Sequence, residues 1–297
     1  MSEAMPDLIS DEVADLVARA DWITVFSGAG ISAESGIATF RDAQTGLWEN
    51  FDPSQLATPA AFESDPALVW GWYQWRAHLV RQAEPNAGHH ALAELAAVPV
   101  AQRGDATSSL DVDVPRDSTR GGADRAVMIV TQNVDDLHER AGTPVLAHLH
   151  GSLFEPRCSR CAQPYHAADD GTLADLADLA TAPDLAAAND LLRIPPPACA
   201  ACSAPVRPGI VWFGEPLPPR AWLRAESALR AAEVVIVVGT SGMVYPAAEL
   251  PERAVAAGIP VIEVNPEPSL LTPLVDHHLA ARAATALPAL VAAIRGR

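Results

Sequence analysis

Ile23-Thr24-Val25-Phe26-Ser27-Gly28-Ala29-Gly30 is an apolar, β-branched run that breaks into a glycine-rich turn, and a helical pattern follows it. Short continuous apolar runs bounded by such turns read as strands buried on both faces of a parallel sheet. The pattern recurs as AVMIVTQN (126–133), VVIVVGTS (234–241) and PVIEVNPE (260–267). Strands alternating with helical stretches predict an open α/β fold, a doubly wound parallel sheet with helices on both faces. In such sheets ligands bind at the carboxyl ends of the strands, where the polar residues of these runs fall.

The 297-residue chain carries a formal net charge of -17. That argues against nucleic-acid binding, which needs clustered Lys and Arg to neutralise phosphates. Hydrophobic residues make up 49% of the chain, but no run approaches the roughly 18 apolar residues that span a bilayer, so no membrane partner is expected. The first residues, MSEAMPDLISDEVADLVARA, place acids where a secretory signal would be basic, and a cytoplasmic protein is expected. Residues 102–125 are polar and rich in Gly, Ser and Asp, and read as a surface loop without chemistry.

Four cysteines, Cys158, Cys161, Cys199 and Cys202, form two C-x-x-C pairs with none left over. In a reducing compartment two such pairs point to a metal, and four thiolates suit a closed, structural zinc site. The 37-residue spacer between the pairs is longer than in common zinc ribbons.

Gly28-Ala29-Gly30-Ile31-Ser32 continues through Ser35-Gly36-Ile37-Ala38-Thr39-Phe40-Arg41, which resembles the sirtuin pattern GAGxSxxSGIPxFR, with Ala38 in place of the usual proline. Thr131-Gln132-Asn133-Val134-Asp135-Asp136-Leu137-His138 resembles that family's TQNIDxLH, and His150-Gly151 follows. Val211-Trp212-Phe213-Gly214-Glu215, Gly239-Thr240-Ser241, Tyr245-Pro246-Ala247-Ala248 and Val264-Asn265 come in the family's order, although Gly209 stands where a histidine is usual. The resemblance implies a Rossmann-like NAD-binding domain over 1–37, 88–149 and 213–297. A smaller domain would comprise a helical module, 38–87, and a zinc-binding module, 150–212.

It further implies an NAD-dependent deacylase acting on acyl-lysine proteins. The cofactor contacts would come from Gly28, Ala29, Gly30, Ser32, Phe40, Arg41, Gln132, Asn133, Asp135, Gly239, Thr240, Ser241 and Asn265. Asn133 and Asp135 would surround the ribose, and His150 would act as general base, the role for which histidine is best suited near neutral pH. His148, two residues away on the same strand face, is the other candidate base. Val211 and Phe213 would bind the substrate peptide.

Asp65-Pro66 caps a helix whose expected core stripe is Leu68, Trp72, Trp75 and Leu79. Tyr73 and Arg76, three residues apart, share a neighbouring stripe and can act on one ligand. They resemble the Y-x-x-R of class III sirtuins, which take succinyl-, malonyl- and glutaryl-lysine, and Ala57 matches the small residue that leaves room for the longer chain. The competing readings are a general deacetylase, a mono-ADP-ribosyltransferase or NAD hydrolase, and a non-catalytic NAD or ADP-ribose sensor. An intact Asn133, Asp135 and His150 set argues against the sensor.

Overall fold

A computed structural model describes residues 8–37, 56–99, 125–166, 192–295 and 297. Six parallel strands form the main sheet: β1 (Trp22–Ser27), β2 (Ala126–Thr131), β3 (Val145–His148), β6 (Val234–Val238), β7 (Val261–Val264) and β8 (His277–Leu279). Their order is β3-β2-β1-β6-β7-β8, so the order of strand addition reverses between β1 and β6, the switch point beside which such sheets bind their ligands. The fold is the Rossmann-like sheet expected.

Burial explains why the strands read as unbroken apolar runs. Along β6, Val234, Ile236 and Val238 join one core while Val235 and Val237 join the other, and every residue is buried. The first core is closed by α1 (Asp11–Arg19), α5 (Ala87–Ala96) and α9 (Ala283–Arg295), through Val17, Leu92 and Leu290. The second is closed by α7 (Pro219–Ala231) and α8 (Glu249–Ala256), through Ala228 and Leu250. Two short helices, α2 (Gly30–Ala33) and α6 (Leu137–Arg140), follow β1 and β2. Among the described residues, no helix is long and apolar enough to cross a membrane.

A separate apolar cluster joins α3 (Pro59–Ser64) and α4 (Pro66–Gln82) to an antiparallel pair, β4 (Gly151–Cys158) and β5 (Val206–Ile210). Helix α4 starts as expected, with the Asp65 carboxylate accepting from Leu68 N–H at 3.1 Å and Pro66 behind it. Its buried face differs from the expected stripe. Val69, Trp70, Trp72, Tyr73, Ala77 and Val80 are buried, whereas Leu68 and Trp75 are half-buried and Leu79 is 41% exposed. The helix is covered on a second side, where a Cβ at Gly71 would lie 1.7 Å from the carbonyl oxygen of Leu192. The main buried arc, through Val69, Tyr73, Ala77 and Val80, is set by the cluster these residues share with Leu153 of β4 and Ile210 of β5, and Leu79 falls outside it.

The departure at Gly209 has a steric cause. Gly209 faces Ser152 across the β4–β5 pair, beside a register shift, and a Cβ there would lie 2.0 Å from the Glu155 carbonyl oxygen. No rotamer relieves a clash with backbone, which puts the cost at about 3 kcal/mol, the upper end of the usual range for overpacking. Gly209→Ala should therefore lower the thermal midpoint by about 6 to 12 °C, at about 2 to 4 °C per kcal/mol. A calorimetric midpoint within a degree of the parent would show that the strands do not approach this closely.

Most of the 102–125 loop lies outside the described residues, but Arg125 at its end is no surface residue. It is fully buried, donating from Nε to Ala20 O at 2.9 Å and from Nη2 to Ala18 O at 2.8 Å. It satisfies carbonyls that the end of α1 leaves without helical partners.

Candidate active site

The turns after β1 and β6 meet backbone to backbone. Gly28 N–H donates to Val238 O at 2.9 Å and Gly30 N–H to Gly239 O at 2.8 Å. A Cβ at Gly30 would lie 2.7 Å from Gly239 Cα, and Gly239 itself has a φ of +61°. The amides of Ile31 and Ser32 are spent within the turn, on Gly28 O and Ala29 O. The glycines are thus required first by the contact between the two turns, which brings Gly28-Ala29-Gly30 beside Gly239-Thr240-Ser241.

A buried polar network fills the adjoining strand ends. Asn133 Nδ2 donates to Ser32 Oγ at 3.1 Å, and Ser32 Oγ donates to the Asp135 carboxylate at 3.0 Å. Burial raises the Asp135 pKa, against the lowering effect of hydrogen bonds from Leu137 N–H and Ser32. Gln132 Nε2 donates to Thr240 Oγ1 at 3.0 Å, and Asn265 Nδ2 to Thr240 O at 2.9 Å. Residues expected to hold one ligand are therefore gathered from β1, β2, β6 and β7 at one end of the sheet. Ser241 Oγ accepts from Met243 N–H at 3.4 Å, which is turn capping. Phe40 and Arg41, like Ala38, lie outside the described residues.

The two candidate bases have opposite environments. His150 is half-buried, with Nδ1 3.0 Å from Gln132 O. A carbonyl only accepts, so Nδ1 carries the proton and Nε2 keeps its lone pair. Burial lowers the His150 pKa, opposed by the Gln132 hydrogen bond, and the ring is neutral at pH 7. His148 is bonded on both sides, Nε2 to Glu139 at 2.8 Å and Nδ1 to Asn133 O at 3.3 Å. Although burial opposes it, Glu139 raises the His148 pKa. Of these two, His150 offers the neutral ring with a lone pair to act as base.

One extended segment ties His150 to the acyl-binding candidates. Val211 N–H donates to His150 O at 2.9 Å and Phe213 N–H to Ala57 O at 2.9 Å. Between them, Trp212 is buried with Tyr73 and Ala57, and its Nε1–H donates to the Tyr73 hydroxyl at 3.1 Å. Burial pushes the Tyr73 phenol up to about 12, so it keeps its proton and can donate it. The half-buried Arg76 guanidinium lies 4.9 Å from the Trp72 ring centroid. Burial lowers its pKa, while electrostatic interaction with Tyr73 and Asp135 acts in the opposite sense. Arg76 thus lies within electrostatic reach of the polar network that Asp135 joins.

The model of the Sir2 family matches residues 28–104 and 121–246. An NAD-dependent protein deacylase of Methylococcus capsulatus is 44% identical, over 96% of this chain and 97% of its own. The chain belongs to the Sir2 family. NAD-dependent protein deacylase 1 of Pseudomonas aeruginosa is also 44% identical, over 94% of this chain and 96% of its own. A solved Sir2 homologue in complex with NAD is 37% identical with a TM-score of 0.76, covering 97% of this chain and 94% of its own. Sir2Tm bound to a propionylated peptide is 27% identical with a TM-score of 0.66, covering 93% and 94%.

In this Sir2 chain the four cysteines converge, their Sγ atoms all within 4.8 Å of one another. Cys158 and Cys202 are 3.4 Å apart, and Cys161 lies 3.7 Å from Cys199 and from Cys202. Tetrahedral Zn–S bonds of about 2.3 Å place sulfurs about 3.8 Å apart, so the thiols fit zinc with no position left open for chemistry. A strong chelator under reducing conditions should lower the thermal midpoint and expose all four thiols to a colorimetric reagent, because structural zinc binding is coupled to folding. Four thiols that react fully before chelation would rule the metal out.

Two parts of the Sir2 site escape sequence reasoning. Asn86, the N-cap of α5, also donates from Nδ2 to Ile31 O at 2.7 Å and Ser35 Oγ at 3.0 Å, fixing the turn that carries Ser32. Pro85-Asn86 reads only as a helix start, and nothing local reveals its distant partners. Arg207 grips Glu215 through both nitrogens at 2.6 and 2.8 Å and stacks on Trp212 at 3.5 Å. Glu215 also accepts from Trp212 N–H at 2.9 Å, so this clamp sets the path of the 211–215 segment.

Proposed function

We propose that this chain is an NAD-dependent protein-lysine deacylase that removes succinyl and malonyl groups, with acetyl as a further substrate, releasing nicotinamide and O-acyl-ADP-ribose. NAD, when bound, supplies a ribose whose bond to nicotinamide breaks and whose hydroxyls take up the acyl group. Gly28, Ala29, Gly30, Thr240, Ser241 and Asn265 would hold its phosphates and adenosine ribose, and Asn133 and Asp135 its reactive ribose. His150 Nε2 takes the proton of the attacking hydroxyl. Asn133, Ser32 and Asp135 are already hydrogen-bonded to one another, so little reorganisation is needed around the developing charge.

The observation that carries the acyl reading is the Arg76 guanidinium, on the same helix as the buried Tyr73 and within the electrostatic reach of Asp135. Arg binds a carboxylate with two parallel hydrogen bonds, and the Tyr73 hydroxyl adds a third. The separation of the apolar cluster around α3, α4, β4 and β5 from the two sheet cores supports a small domain of residues 38–87 and 150–212. The remaining residues would form the NAD-binding domain.

Matched acetyl-, succinyl- and malonyl-lysine peptides, with and without NAD, test the proposal by mass spectrometry. Succinyl and malonyl peptides should lose their acyl mass only with NAD, as O-acyl-ADP-ribose appears. Turnover of acetyl peptide alone would reduce the reading to a general deacetylase, and NAD loss without acyl transfer would reduce it to a hydrolase.

A further inference from the structure

Ser27 and Thr131, the last residues of β1 and β2, stand opposite each other in register, and both are fully buried. Ser27 Oγ donates to Thr131 Oγ1 at 2.8 Å. His138, on α6, brings Nε2 to 2.9 Å from Ser27 Oγ. Because Ser27 spends its one proton on Thr131, the imidazole must be the donor here, which places the His138 proton on Nε2. Burial, then the charges of His89 and His148, lower its pKa to about 3, so the ring is neutral. Its other nitrogen, Nδ1, has no hydrogen-bond partner among the described residues, and the ring packs edge-on against His89 at 5.0 Å. Among the described residues, the Ser27 contact is therefore the one hydrogen bond this buried ring makes.

Thr131 Oγ1 accepts a second hydrogen bond, from Asn133 N–H at 3.0 Å. That N–H and the Gln132 carbonyl belong to one planar peptide unit. The carbonyl is the acceptor for His150 Nδ1 at 3.0 Å. A rigid plane held at its N–H end cannot tilt without moving its oxygen at the other end. The chain of contacts from His138 to His150 is unbroken.

We propose that His138 is a positioning residue: through Ser27, Thr131 and the Gln132–Asn133 peptide it holds the carbonyl that keeps the His150 proton on Nδ1 and leaves Nε2 as the base. The proposal rests on the reading of His150 as base. The tautomer of His150 can nonetheless be measured without any substrate, so the two can fail separately.

The test uses the full chain with ¹⁵N-labelled histidine, as parent, Ser27→Ala, His138→Phe and His138→Gln. Imidazole ¹⁵N spectra should show His150 protonated on Nδ1 in the parent and mixed between the two nitrogens in Ser27→Ala and His138→Phe. In both, kcat should fall roughly 10- to 100-fold, the scale of a small misplacement, with KM for NAD little changed. His138→Gln carries an amide N–H able to reach Ser27 and should recover most of the loss. A folded Ser27→Ala in which His150 stays wholly on Nδ1 overturns the proposal, whether or not kcat falls, and it decides the matter if His138→Phe does not fold. A parent without deacylase activity would overturn the function proposed above, while the spectra would still decide the relay.

Discussion

His150→Ala is expected to lower kcat for deacylation by about 10²- to 10⁴-fold, the usual contribution of a general base, while the NAD dissociation constant changes little. The structure separates these effects. His150 is held through Nδ1 by Gln132 O, and Ser32, Asn133 and Asp135 are bonded to one another without it, so its removal leaves that network standing. The pH dependence has a definite sign. Burial lowers the His150 pKa below its ordinary value near 6.5, and the proton-free ring is the active form. Activity of the parent should rise with pH through a midpoint below about 6.5 and be level above it, as far as this group decides. Titration calorimetry with NAD beside peptide kinetics checks the claim. If NAD binding collapses together with activity, His150 is part of the scaffold and another group must be the base.

Arg76→Met should cost the succinyl substrate about 10- to 150-fold in kcat/KM, from roughly 1.5 to 3 kcal/mol for a hydrogen bond to a charged group at 1.4 kcal/mol per decade. Acetyl-lysine presents no carboxylate and should lose much less. Methionine keeps an apolar stem against the Trp72 ring, so the helix face remains covered. Tyr73→Phe is a less selective probe than its ring-preserving chemistry suggests. The Tyr73 hydroxyl accepts from buried Trp212, and removing it leaves that indole N–H unpaired on the segment that joins His150 to Ala57. Its loss should therefore spread to acetyl substrates. Equal losses on succinyl and acetyl peptides in Arg76→Met would mean that Arg76 serves packing alone, and the acidic-acyl reading would fall.

Much of this molecule is legible in its residues. The strand runs at 23–30, 126–133, 234–241 and 260–267 are rich in Val and Ile and show no apolar–polar alternation because a strand covered on both faces has no polar side, a property of each segment alone. The paired cysteines likewise announce one shared site, and their Sγ atoms converge. The family motifs placed His150, Asn133 and Asp135 together before any contact was visible.

What the tertiary structure decided depends on residues far apart in the chain. Gly28 and Gly30 are glycine because Gly239 lies against them, and Gly209 because the Glu155 carbonyl does. The motif already named His150 over His148, but the physical reason is which partner each ring meets, Gln132 O or the Glu139 carboxylate. The buried face of α4 was set by the β4 and β5 residues it packs against, and Asn86, Arg207 and His138 gained their roles only from distant partners. Periodicity describes how one element divides its own faces. It carries no record of what will be packed against each face, and that neighbour decides which polar group is paired, which proton is held and which side chain is left free to react.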